Sequence, residues 1–161
     1  MLDKGWKFQP GDDEQWAQPD IDDQGWQPIN PTLPPRQLPQ VQQAGIGWLR
    51  LRFRVSPELQ RKALILSIAQ YAASEVYLNG QLLRQYGVVS SIPVLVRAYW
   101  PNREPIELPL SEEGEQVLAI RVAHWGLFPS STIFSFLLSF RHAWLGYSRS
   151  RKIFRWSPNT R

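Results

Sequence analysis

From Trp48 to Val55 the chain alternates without a break. Leu49, Leu51, Phe53 and Val55 fall on one side, and Arg50, Arg52 and Arg54 on the other. A period of two is that of a β-strand with one buried face; a helix would scatter these arginines round its whole surface. Ala63 to Ala69 is a second, more continuously apolar strand. Glu75-Val76-Tyr77-Leu78, Asn79-Gly80 and Gln81-Leu82-Leu83 read as a hairpin, since Asn-Gly is the preferred pair where both central turn residues need positive φ. Ile106–Leu108 and Val117–Val122 are further strands, separated by the polar loop 111–115, and residues 133–140 make a last strand. Between them, residues 27–47 are rich in Pro and Gln with no period, and residues 88–105 are irregular. Short strands spaced by elaborate loops predict one all-β domain, an antiparallel β-sandwich of jelly-roll type.

Composition narrows this picture without changing it. A chain of 161 residues with 43% hydrophobic content can bury one real core. Fourteen dispersed prolines suit short strands better than long helices. With no cysteine, disulfides and thiolate metal sites are excluded. Met1-Leu2-Asp3-Lys4 lacks the apolar core of a signal peptide. The longest apolar run, residues 133–140, falls far short of the ~20 residues that span a bilayer. The chain as it stands therefore reads as soluble, and membrane contact would come only through flanking segments.

The net charge of +4 hides an asymmetry. Residues 1–30 carry seven acids against Lys4 and Lys7, whereas residues 141–161 carry six basic residues and no acid. The expected division is a sandwich over residues 1–140 and a basic tail over 141–161, read as a poorly ordered terminus or the stub of a truncated chain. Arginines near aromatics invite a single-stranded nucleic-acid reading, but no nucleic-acid signature accompanies them, and no such partner is expected.

Catalytic patterns are thin. His124 and His142 are the two histidines; His124, at a strand end, is expected to make a structural hydrogen bond. No Gly-x-Ser-x-Gly elbow, phosphate loop or His-Glu-x-x-His pattern occurs. No catalytic residue is assigned, and a free-standing enzyme is the least favoured reading. The acids Asp12, Asp13, Glu14, Asp20, Asp22 and Asp23 could supply oxygen ligands to calcium. Their spacing is not that of an EF-hand, so they are expected to cap turns on a solvated face, with no cofactor required. Trp6, Trp16 and Trp26, interspersed with these acids, are expected to pin an N-terminal cover onto the sandwich. Arg97, Tyr99, Trp100 and Trp125 fall in loops or at strand ends and are the candidate ligand-binding residues. Exposed rings beside polar groups make a sugar-stacking platform; the competing expectation, favoured for each ring singly, is that they plug the sandwich end.

The stretches Trp6-Lys7-Phe8, Gly11-Asp12, Trp16-Ala17, Pro19-Asp20-Ile21-Asp22-Asp23 and Gly25-Trp26 resemble the start of the sugar-binding jelly-roll domain of family 2 glycoside hydrolases. Gly45-Ile46-Gly47-Trp48-Leu49-Arg50, Glu75-Val76-Tyr77-Leu78-Asn79-Gly80 and Leu118-Ala119-Ile120-Arg121-Val122 resemble that domain's later motifs, in the right order. The run 16–31, with Leu38-Pro39-Gln40 and Gly45–Trp48, also resembles galactose-binding-like extracytoplasmic domains of bacterial membrane sensors, histidine kinases and phosphatase regulators. The resemblance implies a binding domain that is not itself catalytic. The leading expectation is a periplasmic or extracytoplasmic input domain of a signalling protein, binding a small molecule or glycan. The alternative is the accessory sugar-binding domain of a family 2 glycosidase. The segment after His142 matches neither pattern.

Overall fold

The alternation along residues 46–54 does become a strand, and it lies at the centre of the molecule. The computed structural model describes residues 3–60, 63–102, 104–111 and 114–124, and the backbone of 134–140. Its strands are β1 (Trp6–Pro10), β2 (Gln27–Ile29), β3 (Ile46–Arg54), β4 (Leu64–Gln70), β5 (Ala73–Leu78), β6 (Gln81–Tyr86), β7 (Pro105–Leu108), β8 (Glu115–Ala123) and β9 (Phe134–Phe140). Two short helices, α1 (Pro39–Ala44) and α2 (Pro57–Gln60), flank β3. The strands form a six-stranded sheet, in the order β2-β1-β3-β8-β5-β6, and a three-stranded sheet, β7-β4-β9. Their pairings are antiparallel. This is an all-β sandwich.

The inner faces meet in one core. Leu49, Leu51 and Phe53 of β3 and Leu118, Ile120 and Val122 of β8 pack with Leu64, Leu66 and Ile68 of β4 and Ile106 and Leu108 of β7. Alternation puts every second residue of each strand into this layer, where removal of apolar area from water is the main driving force. The hairpin turn is as expected: Asn79 and Gly80 have φ of 49° and 85°. Asn79 also donates to Gln116 Oε1 (2.7 Å) and accepts from the Val117 amide (2.8 Å), locking the turn onto β8.

Three expectations need correction. The N-terminal stretch is more than a cover, because β1 is a full member of the large sheet and sends Trp6 and Phe8 into the main core. Residues 27–47 contain β2 and α1, elements of three and six residues that are too short to show a period. The arginine side of β3 is solvated only toward its end, where Arg54 is exposed. Trp48 and Arg50 are 0% and 1% exposed, covered by residues 11–26 as these cross the sheet's outer surface. There Trp16 meets Trp26 edge-on (5.3 Å), Trp48 lies against Tyr77 (5.5 Å), and the Arg50 guanidinium sits 5.5 Å from the Trp26 ring.

One carboxylate holds this cover. The register sets Lys7 directly opposite Arg50, with Arg52 two residues further along the same face. Like charges directly opposite one another are destabilising. Asp23 bridges all three: its carboxylate accepts from Lys7 Nζ (2.8 Å), Arg50 Nε (3.2 Å) and Arg52 Nε (2.9 Å). Arg50 Nη1 also donates to the carbonyls of Trp16 and Gln18, and Arg52 Nη2 to that of Ile21. A second clasp joins Arg121 of β8 to Asp12 (2.6 Å) and Glu75 (3.1 Å). Asp13 and Asp22 do cap turns, accepting from the amides of Gln15 and Gln24. Among the described residues, no three His, Asp or Glu side chains gather in a way that could hold a metal ion.

Burial pushes the Asp23 carboxyl up, but the Lys7 hydrogen bond, the Arg52 charge and the Arg50 hydrogen bond outweigh it, holding the group below the ordinary 3.8. A carboxylate depressed in the folded state contributes stability that is present above its unfolded value and is lost as pH falls through the folded one. Asp23→Asn should therefore cost about 3 kcal/mol at neutral pH, because the buried Arg50 charge loses its counter-ion. Melting curves of variant and wild type should converge on acidification below 3.8. Equal melting temperatures at neutral pH would show that the clasp carries no stability.

Candidate functional site

With one face of the large sheet on the small sheet and the other under the N-terminal cover, the open chemistry lies at a strand end. β3 begins there, β5 begins there, and β6 and β8 end there. The loop from Gly87 to Pro101 covers this end. Val88 and Arg97 exchange both backbone hydrogen bonds (3.0 and 3.1 Å), and Tyr99 N donates to Ala72 O (3.0 Å), extending the β5 edge. The tip is tightened by a 3₁₀ turn at Pro93–Leu95 and by the Ile92 amide donating to Ser90 Oγ (3.0 Å). Gly87 has φ +74°, and a side chain there would run into the Arg97 carbonyl.

This loop brings three of the four sequence candidates together. Arg97, Tyr99 and Trp100 are all exposed, Tyr99 by 44% and Trp100 by 64%. Tyr99 and Trp100 therefore do not plug the sandwich end. The plug is Tyr86, 2% exposed, on whose ring Tyr99 stacks at 5.7 Å and 10°. Tyr99 OH donates to Glu104 Oε1 (2.9 Å), fixing the ring from its far side. Trp100 meets Tyr71, itself 49% exposed, edge to face at 6.5 Å. Arg97 is turned back on its own loop, with Nη1 donating to the carbonyls of Val94 (2.7 Å) and Val96 (3.2 Å). Trp125 lies outside the described residues, as does the tail 141–161.

Tyr71 and Tyr86 are the residues that sequence reasoning missed. Tyr71 sits in the single bend between β4 and β5 and reads as the end of an apolar run; its signal was the polar Gln70 beside it. Tyr86, the last residue of β6, carries no local mark of its role. His124 behaves as expected for a strand-end tie. Its Nε2 donates to the Val41 carbonyl (2.9 Å), joining β8 to α1, and burial holds its pKa below the usual 6.5.

The arrangement is a set of exposed rings at this end of the sheet: Tyr99, backed by Tyr86 and bonded to Glu104, and the Trp100–Tyr71 pair, with Arg97 on the same loop. It offers π faces and polar neighbours, the combination that binds the CH-rich face of a sugar ring while bonding its hydroxyls.

No family model and no curated protein matches this sequence. Solved structures do match. A family 2 glycosyl hydrolase from Bacteroides cellulosilyticus superposes with a TM-score of 0.61 at 19% identity, over 86% of this chain and 20% of that one. A β-glycosidase from Bacteroides vulgatus gives 0.54 at 23% identity, over 86% and 20%. Bacteroides uniformis β-glucuronidase 2 gives 0.56 at 19% identity, over 87% and 17%. The likeness is one of fold. This antiparallel sandwich superposes on part of those chains, and this chain spans about a fifth of their length.

Two substitutions test the site's scaffold. Among the described residues the buried Tyr86 hydroxyl has no hydrogen-bond partner, and an unsatisfied buried hydroxyl costs about 1 kcal/mol or more. Tyr86→Phe should therefore leave the melting temperature unchanged or raise it; a clear drop would reveal a partner for the hydroxyl. Gly87→Ala combines positive φ with a steric conflict, so it should destabilise by at least about 1 kcal/mol. It should also change Trp100 fluorescence, which an unmoved loop would not.

Proposed function

We infer that this domain is a non-catalytic carbohydrate-binding module of the accessory kind found in family 2 glycosidases. The observation that carries the reading is the Tyr71–Tyr99–Trp100 surface. These rings are exposed at one end of the sheet, Tyr99 held by Tyr86 and Glu104 and Trp100 meeting Tyr71 edge-on, rather than collapsed onto the core. Isolated exposed apolar residues are ordinary, whereas a backed aromatic cluster marks a contact surface. The fold neighbours support the glycosidase setting over an input role in a signalling protein, because those named are glycosidases of which this chain matches only a fifth. Glycoside hydrolysis needs two carboxylates flanking the scissile bond, and around this surface Glu104 is already bonded to Tyr99. An extracytoplasmic location, where polysaccharides are met, belongs to the same proposal.

The test is calorimetric titration of the chain with gluco-, galacto- and manno-oligosaccharides, alongside an assay for released reducing ends. Saturable binding without hydrolysis is expected. Trp100→Ala and Tyr71→Ala should each weaken binding about fivefold, a stacking contact being worth roughly 1 kcal/mol and 1.4 kcal/mol being tenfold. Both positions are exposed, so the melting temperature should hold. Hydrolysis by the chain, or binding indifferent to both substitutions, would sink the reading.

A further inference from the structure

The same loop that carries the aromatic surface forms one wall of a cleft. Its tip, with Ser91, Pro93 and Val96, faces the α1–β3 junction, where Gln42, Gln43 and Ile46 form the opposite wall. The cleft holds about 370 Å³, within the range of small-ligand sites. His124 closes one side, held in place by its bond to Val41.

The chemistry of the lining is selective. No Lys, Arg, Asp or Glu is among the described residues that line it. The side chains of Gln42, Gln43 and Ser91 have no hydrogen-bond partner among the described residues. Two amides and a hydroxyl supply both donors and acceptors. Ile46, Pro93 and Val96 supply an apolar wall beside them. His124 adds no charge at neutral pH, because burial holds its pKa below 6.5. An anion or a cation entering this cleft would give up hydration with no opposite charge to meet it. A neutral polyhydroxylated ring would meet amides, hydroxyl and an apolar wall together.

We propose that this cleft is a second glycan subsite, selective for an uncharged sugar unit of the chain whose neighbouring units lie on Tyr99 and Trp100. The proposal rests on the carbohydrate-binding reading above and extends it to the length and charge of the ligand. Tyr99 lies on the β6 side of β5, while Gln43 lies near the end of α1 and Ile46 begins β3. Two to three strand spacings separate them, on the order of 10–15 Å. One ring cannot touch both, so the ligand is a short neutral oligosaccharide rather than a monosaccharide.

The test titrates the whole chain with neutral gluco-, galacto- and manno-oligosaccharides of one to four units, and with galacturonate oligomers of the same lengths. In the wild type, affinity for the preferred neutral series should rise at least tenfold from monomer to tetramer, with the galacturonates weaker. Gln43→Ala combined with Ser91→Ala, both at exposed positions, should abolish that gain with length while leaving monosaccharide binding and the melting temperature unchanged. Trp100→Ala should weaken binding at every length. If the double variant binds all lengths like the wild type while Trp100→Ala does not, the cleft subsite is overturned and the aromatic reading stands. If galacturonates bind tighter through Gln43 and Ser91, the selectivity for neutral units is overturned. If the wild type binds no sugar of any length, both readings fail.

Discussion

The structure depends on a buried guanidinium. Arg50 lies at the centre of β3 with 1% of its surface exposed, and it faces Lys7 across the strand pair. A charge in that position is tolerable only if paired and hydrogen-bonded, since its desolvation costs several kcal/mol. Asp23 supplies the charge, and the Trp16 and Gln18 carbonyls supply further acceptors. These partners lie on the crossing segment, so that segment has one position on the sheet. Trp16 and Trp26 then close over Trp48 and Ala119 as a small second core. An all-apolar contact would bury as much area, but it would not set the position of residues 16–23 to within a hydrogen bond.

This closure decides where a ligand can be met. A six-stranded sheet has two faces and two ends. The inner face is spent on the main core and the outer face on the Trp–Arg–Asp cover. The loop 87–101 occupies one end, and its rings find no remaining apolar surface to cover. Tyr86 already fills that end. Stacked on a buried ring, Tyr99 is kept out in solvent, and its hydroxyl is anchored to Glu104. The exposure of Tyr99 and Trp100 thus follows from the packing beneath them.

What was legible in the sequence follows from which forces act locally. The alternation of Leu49, Leu51 and Phe53 with the arginines, and the Asn79-Gly80 turn, are set by neighbours along the chain and could be read directly. The same alternation made Arg50 look solvated. Its partner Asp23 lies 27 positions away, and nothing near Asp23 separates it from Asp20 or Asp22, which do not bond Arg50. Helix α1, at six residues, is shorter than the window in which a period of 3.6 can declare itself. In the site, Tyr99 and Trp100 were visible as aromatics in a loop. Tyr71 was hidden at a strand junction, and Tyr86 was hidden because its role is set by Tyr99, 13 positions later.

On the carbohydrate-binding reading proposed above, a pre-ordered loop would let the domain bind without a deep pocket. Binding must overcome the ordering of loops and side chains as well as the loss of overall motion. Here much of that ordering is complete before a ligand arrives. The Val88–Arg97 bridge, the Tyr99–Ala72 bond and the Arg97 bonds to Val94 and Val96 fix the loop backbone. Tyr86 and Glu104 fix the Tyr99 ring. What stays uncommitted is the polar lining of the adjoining cleft, Gln42, Gln43 and Ser91. Rigid rings supply area at low entropic cost, and adaptable amides and hydroxyls supply the hydrogen bonds that distinguish one ligand from another. In this molecule Tyr99, Trp100 and Ser91 share one loop, so the position of that loop, set at Gly87, places the rings and one wall of the cleft together.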